Sequence, residues 1–305
     1  MNIVSLLPSA TEMICLLGLR DQLVGVTHEC DFPPGVGGLP KVTRTQIPAL
    51  AKSGEIDRLV REQLQTQRSL YAIEIETLAA LEPDLIVTQG LCDVCAVSEQ
   101  DVHDAVATLP KRPEVINLHP QTLQQVFTSL AQIAEAMGED RKAKTAVDDL
   151  RARVEAVATR SRTTTDRPRV VMLEWLDPPF SSGHWGPEMV RLAGGLEQLG
   201  EEGQPSRGLN WSEVVQARPE VVVIACCGFD VDRTMEDLPL LGQVPGWQDL
   251  PAVAAGQVFI MDGGQYFSRP GPRLVDGLEI LAHALHPAIH PLPRGLPRSV
   301  KAPQF

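Results

Sequence analysis

Apolar positions follow two different periods along the chain. Ile3–Leu7, Leu23–Val26, Leu85–Thr88, Val170–Leu173 and Val221–Ile224 are short, mainly apolar runs of strand length. Runs without polar alternation read as strands buried on both faces, as in a parallel sheet covered by helices. Between them the apolar residues recur every three or four positions. Leu123, Val126, Phe127, Leu130, Ile133, Ala134 and Met137 mark one helix, which Gly138 ends. A helix to Leu17, capped by Ser9 or Thr11 with Glu12 in its first turn, follows the first strand, and Gly18 stops it. From Glu139 to Arg167 there is neither Gly nor Pro, and Ala143, Ala146, Val147, Leu150, Val154 and Val157 form one stripe. That stretch predicts a stiff helical connector.

One helix–turn–strand pattern occurs twice. Glu76–Gln89 passes through Pro83-Asp84 into an apolar run, and Ser212–Ala225 does the same through Pro219-Glu220. The duplication predicts an α/β protein of two similar lobes, each with a central, mostly parallel sheet, joined by a single long helix. A ligand cleft is then expected between the lobes. Val4 to Pro83 is 79 positions but Val171 to Pro219 is 48, so the first lobe carries extra residues. The stretch Thr45–Ala72 is the candidate insertion, with its own helix over Glu55–Gln65. The expected limits are 1–138 for the N-terminal lobe, 139–167 for the connector, 168–286 for the C-terminal lobe and 287–305 for an irregular Pro-rich tail.

Composition narrows the function. At 305 residues the chain exceeds what one core usually supports. A formal net charge of -12 argues against nucleic acid, which needs a basic surface. No apolar stretch reaches the length of a transmembrane segment. The N-terminus lacks a basic region, apolar core and small-residue cleavage site, so the sequence as written reads as cytoplasmic, or as extracytoplasmic if a leader was removed. Six cysteines are too few for a disulfide scaffold and are expected as thiols.

The paired Pro-Asp and Pro-Glu units around a linker helix, with Leu6–Met13, the Val24-Gly-Val26 strand, Cys30–Pro34 and Asp177–Gly183, resemble the helical-backbone metal receptor family. Its members are substrate-binding proteins of ABC importers for cobalamin, haem and ferric siderophores, and the likeness is strongest to the cobalamin-binding branch. The resemblance covers roughly residues 1–286. It implies a non-enzymatic receptor for a metal-centred macrocycle, cobalamin or another corrinoid first, with an ABC permease as partner. It further implies one docking glutamate per lobe on the helix before the Pro-Asp strand. Glu76 stands seven residues before Pro83; Ser212 stands seven before Pro219, with Glu213 one step further, about 100° around a helix.

In α/β lobes ligands meet loops at the carboxyl ends of strands. Such loops here carry His28, Glu29 and Cys30; Cys92-Asp-Val-Cys95; Phe180, His184 and Trp185; Cys226, Cys227 and Phe229; and Tyr266, Phe267 and Arg269 before the last helix. Trp185 and Phe180 suit the flat face of a macrocycle, Arg269 suits an acidic substituent, and His28, His184 or a cysteine could supply an axial ligand to its metal. Cys92 and Cys95 are spaced to share a metal, and with His28 and Cys30 they make a candidate four-ligand site for Zn or Fe. The same CxxC also reads as a redox pair, or as small buried thiols at a turn. An intracellular metal- or metal-cluster-binding protein is therefore the alternative function. Cys15 and one of Cys226 and Cys227 are expected in the core, and His283, His286 and His290 on the surface. No nucleophile–base, phosphate-loop or paired-carboxylate motif points to an enzyme.

Overall fold

The chain begins with β1 (Ile3–Ser5), α1 (Pro8–Leu16), β2 (Leu23–Val26), β3 (Thr43–Thr45), α2 (Ser53–Thr66), β4 (Tyr71–Ile73), α3 (Ile75–Ala80), β5 (Leu85–Gln89), α4 (Glu99–Thr108), β6 (Glu114–Leu118), α5 (Leu123–Ala136) and α6 (Asp140–Ser161). The computed structural model describes all residues except 46, 49–50, 67–69, 91–96 and 304–305, and only the main chain of Thr66. Two compact units emerge: residues 1–51, 55–120 and 124–148, and residues 52–54, 121–123 and 149–305. The boundary falls inside α6, whose 22 residues span about 33 Å.

In the first unit the strands lie in the order β2-β1-β5-β6, every pairing parallel. β1 is entirely buried, as its apolar run requires. Parallel neighbours need crossovers, and the intervening helices supply them. The expected cap of α1 is not there. The helix opens with Pro8 at its first position behind an extended Leu7, and Pro brings its helical φ ready-made. Ser9, Thr11 and Glu12 are consequently buried within the helix, and the Thr11 hydroxyl bonds back to the Leu7 carbonyl at 3.5 Å. The stretch around Thr45–Ala72 does hold a helix, α2, and is closed by an antiparallel ribbon pairing Thr43 with Ile73 and Thr45 with Tyr71.

The second unit contains β7 (Arg169–Leu176), β8 (Pro179–Ser181), α7 (Gly186–Leu192), β9 (Leu196–Glu197), α8 (Trp211–Ala217), β10 (Val221–Ile224), α9 (Val231–Asp237), α10 (Pro251–Ala254), β11 (Val258–Ile260), α11 (Gly263–Tyr266), α12 (Leu274–Leu285) and β12 (Val300–Lys301). Its sheet runs β12-β11-β10-β7-β8, with β9 beside the start of β7. The β7–β10 and β10–β11 pairs are parallel, and β8 and β12 are antiparallel edges. Val171, Leu173, Val222, Ile224, Ile260 and Trp247 sit in one buried cluster. Arg153 on α6 is tied to Asp276 and Glu279 on α12 at 2.5 Å each.

Three expectations need correction here. The helix expected to Arg167 ends at Ser161, and the Pro-rich tail is not wholly irregular, since β12 pairs with β11. His286 and His290 are buried, not on the surface. His290 Nε2 lies 3.0 Å from Ser161 Oγ, His283 Nδ1–H donates to the His290 carbonyl at 2.8 Å, and His286 Nε2–H donates to the Gly194 carbonyl at 3.3 Å. A tail that packs against α6 and α12 gives these rings main-chain and hydroxyl partners, which a histidine pattern alone does not reveal.

Candidate functional site

In the first unit the loop after β2 is organised around Thr27 and Thr43. His28 Nδ1 is 2.8 Å from Thr43 Oγ1, which also accepts from the His28 amide at 3.2 Å. The Thr43 hydroxyl donates onward to Thr27 Oγ1 at 2.7 Å. Because that proton is committed to Thr27, Thr43 faces His28 as an acceptor. The imidazole therefore carries its proton on Nδ1, and Nε2 keeps its lone pair. Nε2 is buried and has no hydrogen-bond partner among the described residues. Burial, the dominant cause, lowers the His28 pKa, so the ring is neutral at pH 7. An imidazole whose other nitrogen is anchored is the usual arrangement of a metal-ligating histidine.

Around it, the Tyr71 ring lies 5.1 Å from the His28 ring, and its hydroxyl donates to Glu29 Oε1 at 2.8 Å. Lys41 Nζ holds the loop through the Thr27 and Cys30 carbonyls, both at 3.3 Å. Cys30 is buried, with Sγ 3.1 Å from Thr11 Oγ1. Cys92 and Cys95, the other half of the expected four-ligand site, lie outside the described residues. Among the described residues no group of three His, Cys, Asp or Glu is placed to hold a metal ion.

Residues the sequence reading passed over lie at the carboxyl ends of β5 and β6. Thr88 pairs with Asn117 across these strands, and Gln89 follows. Thr88 Oγ1, Gln89 Oε1 and both amide atoms of Asn117 are buried and have no hydrogen-bond partner among the described residues, as is true of Ser9 Oγ at the start of α1. Buried polar atoms are normally paired, so this uncharged group holds unused bonding capacity. A strand ending in Thr-Gln after an apolar run was the available signal.

In the second unit, His184 adopts φ 51°, unusual for a residue other than glycine. Its amide donates to the Gln204 carbonyl at 2.6 Å and its carbonyl accepts from Gly203 at 2.8 Å. Its Nδ1 is buried and unpartnered, and burial lowers its pKa as well. Glu174 accepts from the Gly183 amide at 3.0 Å, holding the same loop. Trp185, expected against the flat face of a macrocycle, and Phe267, a candidate ligand contact from the loop before the last helix, are instead buried, and the indole N–H donates to the Phe267 carbonyl at 2.7 Å. Both are packing residues here. Phe180 and Phe229 stay half-buried. Phe229 stacks obliquely on Trp175 at 4.8 Å, and the Arg233 guanidinium covers it at 4.3 Å. Tyr266 and Arg269 are half-buried too. Cys226 is buried, which pushes its thiol up to about 12, and Cys227 is half-buried; β10 ends before both.

The two docking positions differ. Glu76 is exposed in the first turn of α3. Glu213 closes the first turn of α8: one oxygen accepts from the Asn210 amide and the other from Arg207, both at 2.8 Å. Those two bonds, the amide's foremost, lower its pKa. Ser212 is exposed beside it.

A family model described as "Periplasmic binding protein" matches residues 3–263. The uncharacterized ABC transporter substrate-binding lipoprotein YvrC of Bacillus subtilis is 24% identical over 292 residues, covering 94% of this chain and 80% of that protein. The vitamin B12-binding protein of Vibrio cholerae is 24% identical over 284 residues, covering 91% and 86%. Among solved structures, the periplasmic heme-binding protein RhuT from Roseiflexus sp. RS-1 superposes with a TM-score of 0.70 at 22% identity, covering 94% of this chain and 98% of that one. These matches overturn the cytoplasmic expectation drawn from the N-terminus: the matching proteins are named as periplasmic binding proteins or as a lipoprotein.

Proposed function

This chain belongs to the periplasmic binding protein family, a family of solute receptors and not of enzymes, and from that premise we propose that it binds a metal-centred macrocycle, a corrinoid before haem, for an ABC permease. The observation that carries the choice is the uncharged polar group of Ser9, Thr88, Gln89 and Asn117. A corrin ring is fringed with carboxamides, which such donors and acceptors match. Haem presents two propionates, which call for a pair of cationic groups, and Arg269 is the single cation among the proposed contacts. The vitamin B12-binding relatives agree with the corrinoid. Haem remains the second reading because heme-binding proteins share the fold.

His28 is the first candidate for an axial ligand to the metal and His184 the second, each with an unpartnered ring nitrogen. Phe180, Phe229 and Arg269 are the proposed remaining contacts, and Glu76 the proposed permease contact.

The test is separate titration of the purified protein with hydroxocobalamin, haem and zinc, followed by visible absorption and melting temperature. The expected result is stabilisation by hydroxocobalamin with a visible shift that His28→Ala abolishes. A His28-dependent shift of the haem Soret band, without cobalamin binding, would select haem. Stabilisation by zinc alone would remove both.

A further inference from the structure

The tail after α12 forms one wall of a pocket in the second unit, at the carboxyl end of β11 and beside α12. Its volume is about 430 Å³, within the range of small-ligand sites, roughly 300–1,000 Å³. The wall is fixed at both ends. At one end His290 and its carbonyl are held by Ser161 and His283; at the other, β12 is paired to β11, with the Ala302 amide donating to Val258 at 2.9 Å.

The polar groups of the lining divide into committed and uncommitted sets. Asp262 caps α11, and its two oxygens accept from the Gln265 amide and side chain, both at 2.7 Å. Gln265 Oε1 in turn accepts from Arg273 at 3.1 Å. The Arg298 guanidinium, the Tyr266 hydroxyl and the Ser299 hydroxyl also line the pocket and make no hydrogen bond or ion pair among the described residues. Met261, Ile280 and Leu296 supply apolar surface. The lining's one acid is thus occupied by donors, whereas its one cation and two hydroxyls are unspent.

We propose that this pocket is a binding site for a small amphipathic carboxylate, distinct from the macrocycle site. The carboxylate would sit on Arg298, with Tyr266 and Ser299 donating to it, and the apolar body would lie against Met261, Ile280 and Leu296. A guanidinium fits a carboxylate with two parallel bonds, which gives the site its preference for anions over neutral molecules of the same shape.

The test compares phenylacetate with its neutral match, phenylacetamide, by ligand-observed NMR and calorimetry on the full chain. Phenylacetate is expected to bind at least ~10-fold more tightly than the amide, with Arg298→Gln erasing the difference. Arg298 is exposed, so this variant should keep the wild-type melting temperature. Leu296→Trp, which fills the pocket, should remove binding of both. Equal binding of acid and amide, unchanged phenylacetate binding in Arg298→Gln, or no binding up to about 10 mM would each overturn the assignment. Saturating hydroxocobalamin should leave phenylacetate binding intact; competition between them would place the acid in the macrocycle site and overturn the proposal of a separate one.

Discussion

Glu82 and Arg218 occupy the same place in the two copies of the repeated unit, immediately before Pro83 and Pro219, and both adopt φ 45°. Each follows a short helix and turns the chain into a parallel strand, β5 in one unit and β10 in the other. The left-handed conformation costs a residue with a Cβ about 1 kcal/mol. Arg218→Gly should therefore stabilise the protein by about 0.5–1 kcal/mol, part of the gain being offset by the freer unfolded chain. Glu82→Gly should behave alike in urea unfolding, and a loss of stability in both variants would contradict this account.

The Thr43 hydroxyl acts on a ligand only through His28. Thr43→Val removes the acceptor that fixes the imidazole tautomer while keeping the shape. A weakening of hydroxocobalamin binding of about 10-fold is expected, the lower end of what such outer partners contribute. Restoring the hydroxyl with Thr43→Ser should recover most of it in a visible titration.

Arg153 holds two carboxylates at once, on a side chain that is 38% exposed. Arg153→Ala leaves Asp276 and Glu279 facing each other without a cation. The expected cost, discounted for solvent, is about 1 kcal/mol. It should shrink in high salt and in the Arg153→Ala/Asp276→Asn double variant, both read by chemical denaturation.

His290 has its pKa lowered to about 4, by burial first and then by His286, Arg160 and His283. A lowered histidine pKa means the unfolded chain takes the proton first. Stability is therefore complete above about 6.5 and is lost as pH falls from there to about 4. Glu197 changes in the opposite sense. Burial raises it to about 7 against the pull of four main-chain amides, so its contribution declines as pH rises between about 4.5 and 7. The comparison of wild type with His290→Asn isolates the histidine: the variant's melting temperature should fall less between pH 6.5 and 4.

Glu76 and Glu213 should separate function from stability. Glu76→Ala is expected to leave the melting temperature unchanged and to reduce permease-dependent uptake. Glu213→Ala should lower the melting temperature through loss of the α8 cap.

The fold was legible because its signals are local. Ile3–Ser5, Leu23–Val26 and Val221–Ile224 lie in short, mainly apolar runs, and the repeated Pro-Asp and Pro-Glu turns fix where the strands begin. The helix start at Pro8 was misplaced because two hydroxyl residues beside it offer equally plausible caps, and the proline's fixed φ prevails. The candidate site was less legible. His28 stood out by residue type, but the hydroxyl that orients it comes from Thr43, 15 residues away across a loop. Thr88, Gln89 and Asn117 look like ordinary strand ends, and only their missing partners mark them. Trp185 was read as a ligand wall because aromatic residues in loops serve both purposes, and only the bond to the Phe267 carbonyl tells that it packs inward.

The last strand, β12, is two residues long and exposed, yet it lies along the free side of β11. Without it β11 would present an unsatisfied row of amides and carbonyls at the margin of an otherwise apolar sheet, a template for another chain. The tail thus guards the protein against self-association as well as shaping a pocket. Trimming the final few residues to tidy the C-terminus would give up that protection together with one anchor of the pocket wall.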